Sequence, residues 1–176
     1  MLLAGNTSKV IVLEGETAGA ICSCLMATSE IDNDDELIIA NSDQIIDVDY
    51  SSVIEELNSK KCSGGVITFD NIHPRWSYAR TKDDEVVEIA EKRPISKNAI
   101  AGFYYYKKGH YFIEYAKKAV LKGKMVNGKY YISESLNEMI LDGMKIGYSR
   151  IEREKYHSFY SPEKIKEYEM FLGGKV

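Results

Sequence analysis

The strongest constraint in the chain is the stretch Glu36-Leu37-Ile38-Ile39-Ala40-Asn41-Ser42-Asp43-Gln44. Four apolar residues run without a break and then stop at a polar, acidic tip. A parallel strand buried on both faces reads this way, because covering helices remove any need for alternation. In open α/β sheets the ligand crevice lies just beyond the carboxyl ends of the strands. That puts Asp43 where a substrate would bind. Its carboxylate suits Mg2+, a hard cation that meets protein through one or two carboxylates plus substrate phosphates. The same residue also suits a plain turn, and the run alone does not separate the two readings.

The flanking sequence extends the pattern. Lys9-Val10-Ile11-Val12-Leu13 reads as a short strand, followed by a turn at Glu14-Gly15-Glu16. Thr17 is placed to cap a helix through Ile21, Leu25 and Met26. Gly19 lies near its start, where a missing Cβ permits either close approach of a ligand or tight packing of the helix. Beyond Asp43, Asp47-Val48-Asp49 leads into a helix with Val53, Ile54 and Leu57 on one face. Acidic residues suit the positive end of a helix. Asp-x-Asp is also a metal signature of glycosyltransferases, so Asp47 and Asp49 carry a second metal reading. Further strands are expected at Gly64–Phe69, Trp76–Arg80, Val86–Glu91 and Ile100–Tyr106, with Lys82-Asp83-Asp84 as a turn. Helices are expected at Tyr111–Leu121 and Ser133–Met144, and an extended segment at Lys145–Ile151. A last helix opens at Ser161-Pro162, with serine as N-cap and proline in the first helical position. The order is βαβαβ, then a strand-rich middle, then helices, which is an α/β fold with a mixed sheet.

Composition bounds the function. At 176 residues, with 44% hydrophobic and 28% charged residues, the chain is expected to form one domain over 1–176. A net charge of −4 speaks against a general nucleic-acid surface, which is usually basic. No run reaches the ~20 apolar residues of a membrane span, and no cleavable leader is evident, so a cytoplasmic location with no membrane partner is expected. Cys22, Cys24 and Cys62 fit no zinc spacing and read as buried free thiols.

Two places concentrate charge where strands end: Asn41-Ser42-Asp43 and Glu91-Lys92-Arg93-Pro94. In the second, a carboxylate can accept from substrate hydroxyls and the adjacent ammonium can reach a phosphate. Metal plus lysine is a minimal kit for phosphoryl or nucleotidyl transfer, in which positioning and charge neutralisation dominate. A charged surface turn is the plain alternative.

Taken together, five segments carry a resemblance. They are Gly15-Glu16-Thr17-Ala18-Gly19-Ala20, Ile39-Ala40-Asn41-Ser42-Asp43-Gln44, His73-Pro74-Arg75-Trp76-Ser77-Tyr78-Ala79, Glu91-Lys92-Arg93-Pro94-Ile95-Ser96 and Ala101-Gly102-Phe103-Tyr104-Tyr105, with a weaker echo at Ser161-Pro162-Glu163. In this order and spacing the chain resembles the sugar-phosphate nucleotidyltransferases, and within them a bacterial branch linked to capsule and surface-polysaccharide synthesis. The resemblance runs from about Lys9 to Tyr168.

It implies a Rossmann-like nucleotide-diphospho-sugar transferase fold, with a mixed, mostly parallel sheet flanked by helices. It implies a reaction joining a nucleoside triphosphate to a sugar 1-phosphate or similar monoester, with release of pyrophosphate and Mg2+ as cofactor. Asp43 then matches the metal aspartate and, with Lys92, the catalytic pair. Gly19, Asn41 and Ser42 fall at the nucleotide, and Glu91, Lys92, Gly102 and Trp76 at the sugar phosphate. Two departures go with it. Nothing matches the family's opening Gly-rich, Arg-containing triphosphate loop, so the pattern is expected to be truncated, with the first βα unit absent; Gly5-Asn6-Thr7 is not such a loop. Ser158 also stands where a second metal aspartate is usual, and Tyr160 where a glycine is. The competing expectations are a non-catalytic remnant that binds nucleotide-sugar or assembles as a homo-oligomer through an exposed sheet edge, and a glycosyltransferase using Asp47 and Asp49.

Overall fold

The computed structural model describes residues 8–173; Gly5-Asn6-Thr7 lies outside them. No strand forms at Lys9–Leu13. Val10 and Val12 are instead 64% and 81% exposed, because no neighbouring strand among the described residues supplies hydrogen bonds to that segment. Two short helices follow, α1 (Ala20–Leu25) and α2 (Thr28–Ile31). Gly19, not Thr17, is the N-cap of α1. The Thr17 hydroxyl turns instead to the Gly19 carbonyl at 3.1 Å and the Ser23 hydroxyl at 2.7 Å.

The strand expected to be buried on both faces is β1 (Leu37–Ala40), and β2 (Gln44–Ile46), not expected from the sequence, follows it. Helix α3 (Tyr50–Ser59) is capped by Asp49, whose carboxylate accepts from the Ser51 amide at 3.0 Å and the Ser52 hydroxyl at 2.7 Å. It buries Val53 and Leu57, one turn apart. Next come β3 (Gly64–Asp70), β4 (Ser77–Lys82), β5 (Glu85–Glu91) and β6 (Asn98–Tyr106). Asp83 and Asp84 both take positive φ, 50° and 61°. Two such residues make the turn that best matches strand twist in a hairpin, which joins β4 to β5. Helices α4 (Gly109–Leu121) and α5 (Ser133–Leu141) lead to β7 (Ile146–Arg150). A 3-10 turn at Arg153–Lys155, β8 (Tyr156–Ser158) and α6 (Pro162–Gly173) complete the described chain.

The main sheet has the order β5-β4-β6-β3-β7, with β1 also on β6, and β2 pairs with β8 separately. Strands β3 and β7 are parallel, while β6 runs against β3, β4 and β1. The sheet is mixed and flanked by helices, as expected. Its parallel share is smaller than a βαβ reading implies, because β6 inserts antiparallel between β1 and β3. Nor is β1 buried on both faces. It pairs with β6 alone among the described residues, and Ile38 is 41% exposed.

The flank of β6 is divided between two strands. Leu37–Ala40 of β1 lies opposite Tyr106–Phe103, and Tyr78 of β4 lies opposite Ala99. The carboxyl end of β1 therefore meets the amino end of β4 beside Gly102. This junction brings Asp43 and the Glu91 hairpin to one rim.

Two cores hold the sheet in place. Val66, Ile100, Tyr104 and Tyr106 pack with Phe112, Leu136 and Met139 on the α4/α5 face. Ile67, Phe69, Phe103 and Tyr105 pack with Leu57 and Tyr156 on the other. The alternation along β6 reflects the period of two in a strand. Each fully buried large side chain contributes about 2 kcal/mol. Cys62 is buried, but Cys22 and Cys24 are only half-buried, since Ile21 alone is buried in α1. All three thiols are free.

Candidate active site

Gly102 is the pivot of the rim. Its φ of +57° is a left-handed conformation that glycine adopts without steric cost. Its carbonyl oxygen accepts from the Asn41 amide at 3.0 Å and the Gln44 side-chain amide at 2.9 Å. A Cβ there would lie 2.5 Å from Asn41 Nδ2 and 2.6 Å from Gln44 Oε1. The absent side chain thus lets the Asn41–Gln44 turn lie on the sheet, and Asp43 is carried on that turn. Asp43 is exposed, as is Ser42, and the Asp43 carbonyl accepts from the Phe159 amide at 2.8 Å.

Tyr156 links this turn to the hairpin. Its hydroxyl donates to Gln44 Oε1 at 3.3 Å, and its ring packs edge-on against Trp76 at 5.4 Å between centroids. Burial pushes the hydroxyl up to about 12, the Asp43 charge adds to the rise, and Arg153 and Arg75 oppose it. The Trp76 carbonyl in turn accepts from the Lys92 amide at 3.0 Å.

Glu91 closes β5 and is half-buried. One of its carboxylate oxygens, Oε2, accepts from Ser77 at 2.5 Å and Ser133 at 3.0 Å. Burial pushes its carboxyl up, while both serines and Lys92 pull it down. Tyr104 stands beside it; burial and the Glu91 charge both raise its hydroxyl. Lys92 has a φ of 54°, which turns the chain sharply after Glu91. Its ammonium sits 5.0 Å from the Tyr131 ring centroid, within cation–π range.

Gly19 reaches the same rim by its backbone. The Tyr130 amide donates to the Ala18 carbonyl at 2.8 Å, and a Cβ on Gly19 would lie 2.4 Å from the Tyr130 carbonyl oxygen. Tight packing therefore explains this glycine without a ligand.

Of the sequence-predicted residues, Asn41 meets Gly102 directly, Lys92 meets Trp76 directly, Trp76 reaches the Asp43 turn and Gly102 through Tyr156 and Gln44, and Gly19 lies against Tyr130, the neighbour of the Tyr131 that faces Lys92. Asp49 is committed to the α3 cap through both carboxylate oxygens, and the Asp47 amide pairs with the Lys155 carbonyl at 2.8 Å. Sequence reasoning assigned no role to Ser77, Gln44 and Tyr156 in holding the site, nor to Ser133 and Tyr131. Ser77 and Gln44 fall inside two of the five segments that carry the resemblance. Ser133 carries no local signal, because its partner Glu91 is 42 residues away.

For magnesium, the rim offers one exposed carboxylate, Asp43, beside the oxygen-bearing side chains of Asn41 and Ser42. Oxygen donors of this kind are what Mg2+ takes. Among the described residues no group of three His, Cys, Asp or Glu side chains gathers as a metal cage. One carboxylate fits an ion carried on substrate phosphates rather than one held by protein alone.

The fold is similar to those of solved nucleotide-sugar enzymes. A nucleoside-diphosphate-sugar pyrophosphorylase from Vibrio cholerae RC9 matches with a TM-score of 0.73 and 22% identity, over 89% of this chain and 66% of that one. An apo UDP-glucose pyrophosphorylase matches with a TM-score of 0.72 and 15% identity, over 94% and 64%. These likenesses establish the fold class as α/β, a mixed sheet flanked by helices. The chain spans less than two thirds of the length of both structures. No family model matches it, and no curated protein does so by sequence.

Proposed function

We propose that the chain is a nucleotidyltransferase-type protein that handles a nucleoside triphosphate and a sugar 1-phosphate or similar monoester, with surface-polysaccharide precursors as the product class. The observation that carries this reading is Glu91, a half-buried carboxylate oriented by two serine hydroxyls, directly followed by Lys92 and tied through Trp76, Tyr156 and Gln44 to the Asp43 turn. The resemblance of the flanking motifs and the shared fold support it.

In this reading Glu91 accepts hydroxyls of the sugar while Ser77 and Ser133 hold the carboxylate in place. The Lys92 ammonium meets the acceptor phosphate as a compact charge. An oxygen of that phosphate attacks the α-phosphorus of the nucleotide, the new O–P bond forms, and pyrophosphate departs with the electrons of the broken bond. Asp43, with Asn41 and Ser42 beside it, would hold Mg2+, which would supply charge neutralisation at the phosphates. Asn41, Ser42 and Gly19 lie on the nucleotide side, and Trp76 and Gly102 beside the sugar. We place this activity in the cytoplasm, in one domain over 1–176; among the described residues no helix is long and apolar enough to cross a membrane.

The test is pyrophosphate release from the common nucleoside triphosphates, Mg2+ and a panel of sugar 1-phosphates, with calorimetry for binding. Heat on nucleotide addition and pyrophosphate above background are expected; neither with any pair would defeat the proposal. A second reading, an assembly module that pairs with another chain, is favoured by the exposed Ile38 and by the edge of β1 that is unpaired among the described residues. It predicts concentration-dependent association without turnover.

A further inference from the structure

The chain has five arginines. Three are ion-paired: Arg80 and Arg93 with Glu88, and Arg150 with Asp70. Arg75 and Arg153 make no ion pair among the described residues, although acidic residues outnumber basic ones in the chain, 27 to 23. Both line the same cleft, of about 390 Å³, between the loop before β4, the 3-10 turn and α6.

Each guanidinium is held by groups that leave its charge uncompensated. Arg75 lies 3.6 Å from the Tyr160 ring centroid and 6.0 Å from that of Trp76. Arg153 donates Nη1 to the Tyr156 carbonyl at 2.7 Å and lies 5.3 Å from the Phe69 ring centroid. The field of both converges on Tyr156, the residue that also touches Gln44 of the Asp43 turn. Lys164 lines the cleft too, but is paired with Glu167 at 2.5 Å, so that rim is electrically balanced. Trp76 and Tyr168 add aromatic wall. A guanidinium presents a planar fork that matches phosphate oxygens, and two of them suit a doubly charged group. Aromatic faces beside them suit the apolar face of a ring that also carries hydroxyls.

We propose that this cleft is a second phosphate subsite, built by Arg75 and Arg153 and separate from Lys92, that takes the phosphoryl end of a phosphorylated sugar. The sugar half rests on the function proposed above; the arginine site does not.

Trp76 is the single tryptophan and sits in the cleft wall, so its fluorescence reads occupancy directly. The protein is titrated with inorganic phosphate, glucose 1-phosphate and unphosphorylated glucose, with calorimetry in parallel. A saturable change is expected with both phosphates, tighter for the sugar phosphate, and none with glucose. Arg75→Gln and Arg153→Gln should each weaken it by about tenfold or more, as loss of a charged hydrogen bond does. Lys92→Gln, which touches the acceptor-phosphate site proposed above, should leave the arginine-dependent component of the titration intact. Arg153 also holds the Tyr156 backbone, so melting curves accompany both variants, and exposed Arg75 decides the matter if Arg153→Gln unfolds. Titrations that survive Arg75→Gln unchanged, lose their arginine-dependent component in Lys92→Gln, or never saturate would overturn the subsite. Equal affinity for phosphate and glucose 1-phosphate would overturn the sugar half. Arginine-dependent binding without pyrophosphate release would defeat the catalytic proposal and keep the subsite.

Discussion

Gln44 holds Gly102 through a side-chain hydrogen bond of 2.9 Å across 58 residues of sequence, and its amide oxygen takes the Tyr156 hydroxyl on the other side. One amide therefore fixes the turn that carries Asp43 to both the sheet and β8. Gly102→Ala would force a left-handed alanine and drive its Cβ into Asn41 and Gln44. A loss of about 2 kcal/mol or more is expected, seen as a lower urea midpoint. An unchanged midpoint would mean that the turn does not rest on β6.

Ser77 and Ser133 pull the Glu91 carboxyl down against burial. Ser77→Ala and Ser133→Ala should each raise the Glu91 titration further, followed by carboxyl 13C shifts. Each should also lower stability by about 1 kcal/mol, the usual net worth of one hydrogen bond. A Glu91 titration that stays put in both variants would show that the hydroxyls do not reach it.

Glu91→Gln separates binding from stability. Because burial raises the folded carboxyl above its ordinary value of 4.5, its contribution is fully present below that value and is lost as pH rises through the folded one. The variant should remove this loss, so its stability falls less between acid and neutral pH than the parent's. It should also weaken sugar-phosphate binding by about tenfold. Calorimetry and denaturation across pH read the two effects independently.

Glu36 has the opposite sign. The Lys107 ammonium, then Asn58, hold its carboxyl down at about 2, with Tyr105 also donating. That stability is present above the ordinary value of 4.5 and is lost as pH falls through about 2. Glu36 is 40% exposed, so solvent screening keeps the effect to about 1 kcal/mol or less. Glu36→Gln should flatten acid denaturation in that window while leaving nucleotide binding unchanged.

Asp43→Asn should abolish Mg2+-dependent nucleotide binding with a change in melting temperature of about 1 °C or less, since the side chain is exposed. Ile38→Lys places a charge on the open edge of β1, the device by which natural sheets block pairing. Light scattering should show less association than in the parent chain. Equal association would locate any self-contact elsewhere.

The sequence by itself determined the strands of the main sheet and the helices from β1 onward, though not the short pair β2 and β8, together with the hairpin at Asp83-Asp84 and the carboxylates at strand ends. These follow from local periodicity, turn chemistry and capping, which neighbouring residues specify. It did not determine that β1 lies at the margin of the sheet. A continuous apolar run reports the burial a strand seeks, and only the pairing partners decide the burial it obtains. Nor could it reveal why Gly19 and Gly102 are glycines. Tyr130 and Gln44, distant in sequence, occupy the space a side chain would need. Likewise Arg75 and Arg153 look like ordinary surface charges in the chain. Among the described residues, tertiary packing leaves both without carboxylate partners and sets them in one cleft beside Tyr156.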